Sequence, residues 1–163
     1  MILLNACTHV GVSPLLPFRV YGAEAERRLS DKSSAVFSVS HFYDVARDGG
    51  VTFEKDQFFT FEGQLRLYPK RRALEGFSLA GSAGWTLNRD RYPNQPEISQ
   101  TAHAFSYGIA LNNNEYLDDN ERYFIGLGAG VKYMKWDYQH NTGGESRGNF
   151  WPTARVIVGM HLK

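Results

Sequence analysis

The sequence predicts an all-β fold, an eight-stranded antiparallel up-and-down β-barrel. Two observations lead to this prediction: apolar and polar residues alternate along several long segments, and the connections between those segments alternate in length. Aromatic residues make up 14% of the chain and glycine occurs 16 times, which favours strands over helices. A chain of 163 residues has the length of one domain, so we expect a single domain over residues 1–163.

The clearest alternation is "FFTFEGQLRL" at residues 58–67. Phe59 and Leu65 share one face of this segment, whereas Glu62 and Arg66 share the other. Comparable segments occur at 77–88, 102–116, 121–136 and 148–162, and weaker ones at 2–12, 18–29 and 33–43. We therefore predict eight strands, at about residues 2–12, 18–29, 33–43, 57–68, 77–88, 102–116, 121–136 and 147–162.

The predicted connections fall into two groups by length. Those after the second, fourth and sixth strands are short, at residues 30–32, 69–76 and 117–120. Those after the third, fifth and seventh strands are long and polar, at residues 44–56, 89–101 and 137–146. An up-and-down barrel with tight turns at one end and longer loops at the other produces this order. The exception is "SPLLP" at 13–17, a short break on the long-loop side.

The composition of the two strand faces predicts which one lies inside. The polar faces are rich in small residues such as Gly126, Gly128 and Gly130, whereas the opposite faces carry aliphatic and aromatic residues. Those large apolar side chains would overfill the narrow interior of a closed eight-stranded barrel. If they meet lipid instead, the small inward residues leave room for long charged side chains. The sequence therefore predicts a transmembrane β-barrel, with a soluble ligand-binding barrel as the alternative.

Aromatic residues near the predicted strand ends agree with this orientation. Phe77, Tyr123 and Tyr68 lie near the short turns, and Phe59, Trp85, Tyr133, Trp136 and Phe150 lie near the long loops. Two such groups are typical of the aromatic belts at the two surfaces of a membrane. Ordinary enrichment of aromatic residues in strands is the other explanation.

Six charged residues on the predicted inward faces form the candidate functional site. They are Glu24, Glu26, Glu62, Arg66, Lys132 and Arg155. Buried charges must be paired and hydrogen-bonded, so we expect these side chains, together with Gln64, to form a network that plugs the barrel. If the pairs can rearrange, the same network would gate a narrow, porin-like pore, which is a second hypothesis.

Three stretches resemble a known family: "EAERRLSDKSSAVFSVSHF" at 24–42, "LRLYPKRRALEGFSLAGSAGW" at 65–85 and "PTARVIVGMHL" at 152–162. The chain is similar, from about residue 18 onward, to the small outer-membrane β-barrel domain family of Gram-negative bacteria. The resemblance implies location in the cell outer membrane, contact with outer-membrane lipids and insertion by the barrel-assembly machinery, which reads the last strand. The chain departs from the family in ending on Leu162 and Lys163 rather than on an aromatic residue, and residues 1–12 lack the basic and long apolar regions of an export signal.

Motifs that would indicate catalysis are weak in this sequence. Glu24, Glu26 and Glu62 could form a catalytic carboxylate pair, but the neighbouring arginines indicate ion pairing instead. The five histidines are His9, His41, His103, His140 and His161, which lack metal-ligand spacing, so we expect neither a metal nor a cofactor. Ser40 and His41 could belong to an outer-membrane lipid-modifying enzyme, but consecutive strand residues point to opposite faces.

The sequence thus favours a structural protein without catalytic activity, or one that binds a partner through its outer loops. Residues on loops held by a rigid scaffold are the usual binding residues, which here means 44–56, 89–101 and 137–146. The chemistry of that partner is unknown. A formal net charge of +1 argues against nucleic acid as a partner.

Overall fold

The structure, a computed structural model, describes residues 8–13, 20–48, 51–70, 73–91, 100–138 and 146–162. Its strands are β1 (Thr8–Ser13), β2 (Val20–Ser30), β3 (Ser33–Asp48), β4 (Val51–Leu67), β5 (Gly76–Arg91), β6 (Gln100–Tyr116), β7 (Tyr123–Tyr138) and β8 (Ser146–Leu162). All eight predicted strands are present, which confirms the all-β prediction; the predicted start of the first strand, residues 2–7, lies outside the described residues. Among the described residues, no helix is long and apolar enough to cross a membrane.

The strands form a closed antiparallel ring in chain order. Each strand pairs with the next, and β1 pairs with β8 in a register that aligns Val10 with Met160 and Val12 with Val158. The up-and-down barrel topology is therefore confirmed. We call the end that carries the β2–β3, β4–β5 and β6–β7 connections the turn end, and the opposite end the loop end.

The barrel is apolar outside and polar inside. Leu65, Phe105 and Phe150 point outward and are 62%, 69% and 74% exposed. On the opposite faces of the strands, Glu26 and Arg66 are completely buried. This is the orientation that the face compositions predict, and it is the reverse of a barrel with an apolar ligand cavity.

Stacked aromatic rings cover the outer surface toward the loop end. The ring centroids of His41 and Phe59 are 4.3 Å apart. The ring centroid of Trp85 lies 6.0 Å from that of Phe61 and 5.5 Å from that of His103. A further group joins Tyr107, Tyr133 and Phe150. We call these three groups the aromatic rows.

Two aromatic residues that were predicted for the outer belts lie inside the barrel. Tyr68 is completely buried near the turn end, and Trp136 is buried with Ala102 and Ala104 near the loop end. Both occupy inward positions of the alternation, because Trp136 shares its face with Lys132 and Tyr68 follows Arg66 on the next inward position. Nearness to a strand end was the wrong criterion for these two residues.

The predicted loop 44–56 is wrong, because the strands continue through it. β3 and β4 remain paired from Tyr43 with Gln57 to Asp48 with Val51, including Asp44 opposite Asp56. Backbone hydrogen bonds maintain a ladder even where apolar and polar residues no longer alternate, as in "DVARD" at 44–48, so hydrophobic alternation underestimates strand length.

The predicted loops 89–101 and 137–146 shorten for the same reason. β5 extends to Arg91 and β6 starts at Gln100, while β7 extends to Tyr138 and β8 starts at Ser146. Residues 49–50, 92–99 and 139–145 lie outside the described part of the chain. The connection from 68 to 75 is longer than that at 49–50, so the regular alternation of short and long connections does not hold for the β3–β4 hairpin.

Candidate functional site

The structure places all six candidate residues in the barrel interior. β2 contributes Glu24 and Glu26, β4 contributes Glu62 and Arg66, β7 contributes Lys132, and β8 contributes Arg155. Each occupies an inward position, and none has a side chain more than 17% exposed. Hydrogen bonds and ion pairs connect them, so we call this set, with Gln64 and Asn114, the interior network.

Arg66 lies at the centre of the interior network. Its Nη1 donates to Glu26 Oε2 at 2.6 Å and to Glu24 Oε1 at 3.1 Å. Its Nε and Nη2 donate to Gln64 Oε1 at 3.2 and 3.1 Å. A guanidinium that is fully removed from solvent requires such partners, because an unpaired buried charge costs several kcal/mol, of order 3–5.

Glu26 accepts hydrogen bonds from four side chains. Besides Arg66, these are Ser34 Oγ at 2.5 Å, Tyr68 OH at 2.5 Å and Asn114 Nδ2 at 3.2 Å. Tyr68 lies just beyond the end of β4, and burial, together with the nearby Glu26 carboxylate, raises the pKa of its phenol. The phenol therefore remains protonated and donates to Glu26 across the physiological pH range.

Arg155 ties β8 to β2 and β6, each two strands away around the ring. Its Nε and Nη2 donate to the two oxygens of Glu24 at 2.9 and 2.6 Å, which is bidentate geometry, and its Nη1 donates to Asn114 Oδ1 at 3.0 Å. Gly126 makes room for this guanidinium, since a Cβ there would lie 2.8 Å from Arg155 Nη2 and 2.7 Å from Asn114 Oδ1. Packing against Arg155 and Asn114 therefore explains why this inward position holds a glycine.

Glu62 and Lys132 form the remaining ion pair, closer to the loop end. Lys132 Nζ donates to Glu62 Oε2, and Gln64 Nε2 donates to Glu62 Oε1 at 2.7 Å. Because Gln64 also accepts from Arg66, it joins this pair to the rest of the network. Three carboxylates and three cationic side chains are therefore connected across β2, β4, β7 and β8, and their formal charges cancel.

The β4–β5 connection closes the turn end of the barrel. Ala73 and Leu74 are buried there, and Asn114 Nδ2 lies 3.5 Å from the carbonyl oxygen of Leu74. The backbone amides of Tyr68 and Ala73 donate to the carbonyls of Lys32 and Asp31, both at 2.8 Å. The sequence predicts only a short connection at 69–76, although the pair Ala73-Leu74 between charged residues could have signalled burial.

Two histidines that are far apart in sequence meet at the turn end. His9 Nε2 lies 3.1 Å from Tyr116 OH, which lies 3.3 Å from His161 Nδ1, and the His9 ring stacks on Phe124 with centroids 4.1 Å apart. Pairing of β1 with β8 brings them together, which spacing along the chain could not reveal. In the described part of the chain, no three His, Cys, Asp or Glu side chains form a group that could hold a metal ion.

A polar cavity of about 190 Å³ lies on the loop-end side of the ion pairs. Glu24, Glu62, Lys132 and Arg155 line it, together with the hydroxyl side chains Ser13, Ser38, Ser40, Thr60, Ser82 and Thr153. At about 30 Å³ per molecule, this volume has room for roughly six waters. The interior is thus closed at the turn end, and the cavity lies between the interior network and the loop end.

Ser40 and His41 do not share a pocket. Ser40 lines the interior cavity, whereas the His41 ring lies outside the barrel against Phe59. The strand alternation separates the two side chains as expected. The arrangement therefore offers no nucleophile and base pair at this position.

In comparisons with known proteins, no family model matches the chain, and no curated protein or solved structure matches it.

Proposed function

We propose that this chain is a membrane-spanning β-barrel of a bacterial outer membrane, with a structural role or a binding role at its loop end and no catalysis of its own. The observation that carries the proposal is the inverted distribution of polarity. Leu65, Phe105, Tyr107 and Ile109 are more than 60% exposed, while the interior is filled by ion pairs. Water would penalise such a surface, whereas lipid accommodates it.

The loop end suits a binding role because paired strands extend beyond the aromatic rows. The β3–β4 ladder continues past Phe59 to Val51, and this extension carries charged residues, with Asp44, Asp56 and Lys55 among them. In a membrane barrel this segment would stand in the headgroup region or in water. A partner would therefore meet strand extensions as well as the connections between them.

Two leucines with the same exposure test the membrane location. Leu65 lies within the apolar outer surface and is 62% exposed, and Leu117 lies in the β6–β7 connection and is 63% exposed. We expect Leu65→Lys to reduce the stability of the barrel in phosphatidylcholine vesicles by about 2–3 kcal/mol, since a lysine would enter the hydrocarbon band, and Leu117→Lys to have little effect.

The folded fraction can be read from gel migration of unboiled samples after refolding across a urea series. A membrane barrel that resists SDS until it is boiled gives separate folded and unfolded bands. The proposal fails if both variants refold like the wild type and all three proteins stay soluble without detergent. Equal, small effects are what a surface Leu→Lys change produces in a soluble protein.

We propose a narrow gated pore as a second candidate function, because the cavity above the ion pairs already hollows out part of the lumen. In planar bilayers the wild type should carry little current. Glu62→Ala/Arg66→Ala should conduct, because the variant removes the Glu62–Lys132 pair and the ion pairs of Arg66 with Glu24 and Glu26. Glu62→Ala/Lys132→Ala serves if the first variant does not fold. Absence of current from every folded variant would remove this candidate, and the exposed pair Glu115→Ala/Arg122→Ala is the control.

A further inference from the structure

Three cationic side chains cluster on the outside of the barrel beyond the aromatic rows. Lys55 of β4 lies directly opposite Arg91 of β5, and Gln57 lies opposite Arg89. All four side chains are on the outward face, where Arg89 and Arg91 are exposed and Lys55 is half-buried. Directly opposed residues have Cβ atoms about 5 Å apart, and next-but-one residues lie about 7 Å apart, so the three charges form a compact triangle.

Like charges in this arrangement destabilise a sheet unless an anion compensates them. The ion pairs within the described residues do not involve Lys55, Arg89 or Arg91. Among the residues whose side chains the structure describes, the carboxylates nearest along the same strands, Asp56 and Asp90, are on inward positions of the alternation, on the other side of the barrel wall. Since these three side chains lie on the outward face, an anion that binds them approaches from outside the barrel.

The distance of the triangle from the aromatic rows, measured along the barrel axis, indicates which kind of anion would meet it. Trp85 and Arg89 share the outward face of β5 and are four residues apart, which is about 13 Å along the strand. Strand tilt reduces this to about 10 Å along the barrel axis. In a membrane, aromatic belts lie at the boundary between hydrocarbon and headgroups, so cations at this height lie at the level of the lipid phosphates.

We propose that Lys55, Arg89 and Arg91 bind the phosphate monoester headgroup of a lipid in the leaflet at the loop end. This inference rests on the proposed membrane location. A monoester carries up to two negative charges and three terminal oxygens, which suits two arginine forks and one ammonium. A phosphodiester headgroup carries one charge and offers fewer free oxygens to the same three side chains.

Trp85 provides a local probe of the lipid at this position. The variant Trp136→Phe/Trp151→Phe leaves Trp85 as the single tryptophan, since the chain has three. It is reconstituted in phosphatidylcholine vesicles that contain either brominated phosphatidic acid or brominated phosphatidylcholine at equal mole fraction. We expect local enrichment of phosphatidic acid at Trp85 of about a hundredfold, estimated from the additive attraction of three cations to an anionic headgroup.

Two triple variants test the residues. Lys55→Gln/Arg89→Gln/Arg91→Gln should abolish the enrichment. Arg27→Gln/Lys70→Gln/Arg122→Gln, which removes three exposed cations near the opposite end, should retain it. If the single-tryptophan protein does not fold, the same comparison is made with all three tryptophans, because Trp136 and Trp151 occupy inward positions.

The remaining outcomes separate the proposals. Equal enrichment of brominated phosphatidylglycerol would overturn the preference for a monoester, and displacement by inorganic phosphate at matched concentration would overturn a lipid as the ligand. Equal quenching by the brominated phosphatidic acid and phosphatidylcholine would overturn the inference while leaving Trp85 in lipid. No quenching by either would instead refute the proposed membrane location.

Discussion

Replacing Arg66 with methionine is expected to lower the free energy of unfolding by about 3–5 kcal/mol. The loss follows from the charge left behind, because Glu26 is completely buried. Among the described residues, its cationic partners within 4.0 Å are Arg66 and, at the limit of that distance, His9. Glu24 is affected less, since Arg155 holds it through two hydrogen bonds. Methionine has a similar length and fills the space without a charge.

Urea-induced unfolding in detergent micelles, followed by tryptophan fluorescence, measures this change. Arg28→Met is the matched control, because Arg28 pairs with the exposed Asp31 near the barrel surface and its loss should matter by less than about 1 kcal/mol. Adding Glu26→Gln to Arg66→Met should recover part of the stability, since the uncompensated charge disappears. Equal effects of Arg66→Met and Arg28→Met would mean that the network contributes nothing beyond a surface pair.

Replacing Gly126 with leucine is expected to cost about 4 kcal/mol or more. The new side chain would overfill the interior, which typically costs about 1–3 kcal/mol. It would also displace the Arg155 guanidinium from Glu24 and leave buried charges without their partners, which costs about 3–5 kcal/mol. Gly63→Leu is the matched control on the outer surface. No atom lies within 4 Å of a Cβ at Gly63, so leucine there should be neutral or stabilising.

The same urea series in micelles measures both glycine variants. A large loss of unfolding free energy for Gly126→Leu, with no loss for Gly63→Leu, would show that crowding in the interior destabilises the barrel and that the loss of a glycine by itself does not. If both leucines were tolerated equally, the interior would have more space than the contacts of Gly126 indicate. If both were equally harmful, backbone conformation rather than packing would explain the effect.

Much of the fold could be predicted from the sequence because the side-chain period of a strand is independent of its partners. The alternation around Glu62 and Arg66 fixed which side chains share a face, and small inward residues such as Gly126 indicated which face is crowded. Both are local properties. The charged residues of the interior could be named for the same reason.

The connections within the interior could not be predicted, because they depend on register between strands. Asn114 accepts from Arg155 and donates to Glu26, yet nothing in "LNNNEY" distinguishes it from Asn112 on the same face. His9 and His161 meet only because the ring closes between the first and last strands. The burial of Leu74 depends on a connection folding over the barrel end, which no periodic pattern encodes.

β1 and β8, the first and last strands, pair only when the ring closes. Val10 and Met160 are about 150 residues apart along the chain, so this is the least local strand pairing of the barrel. Until then both outermost strands carry an unpaired edge, and joining them has to overcome the entropy of closing a loop of nearly the whole chain. Closing the ring therefore has the largest entropic cost of any strand pairing here, and it removes the two edges through which an open sheet would pair with other open sheets.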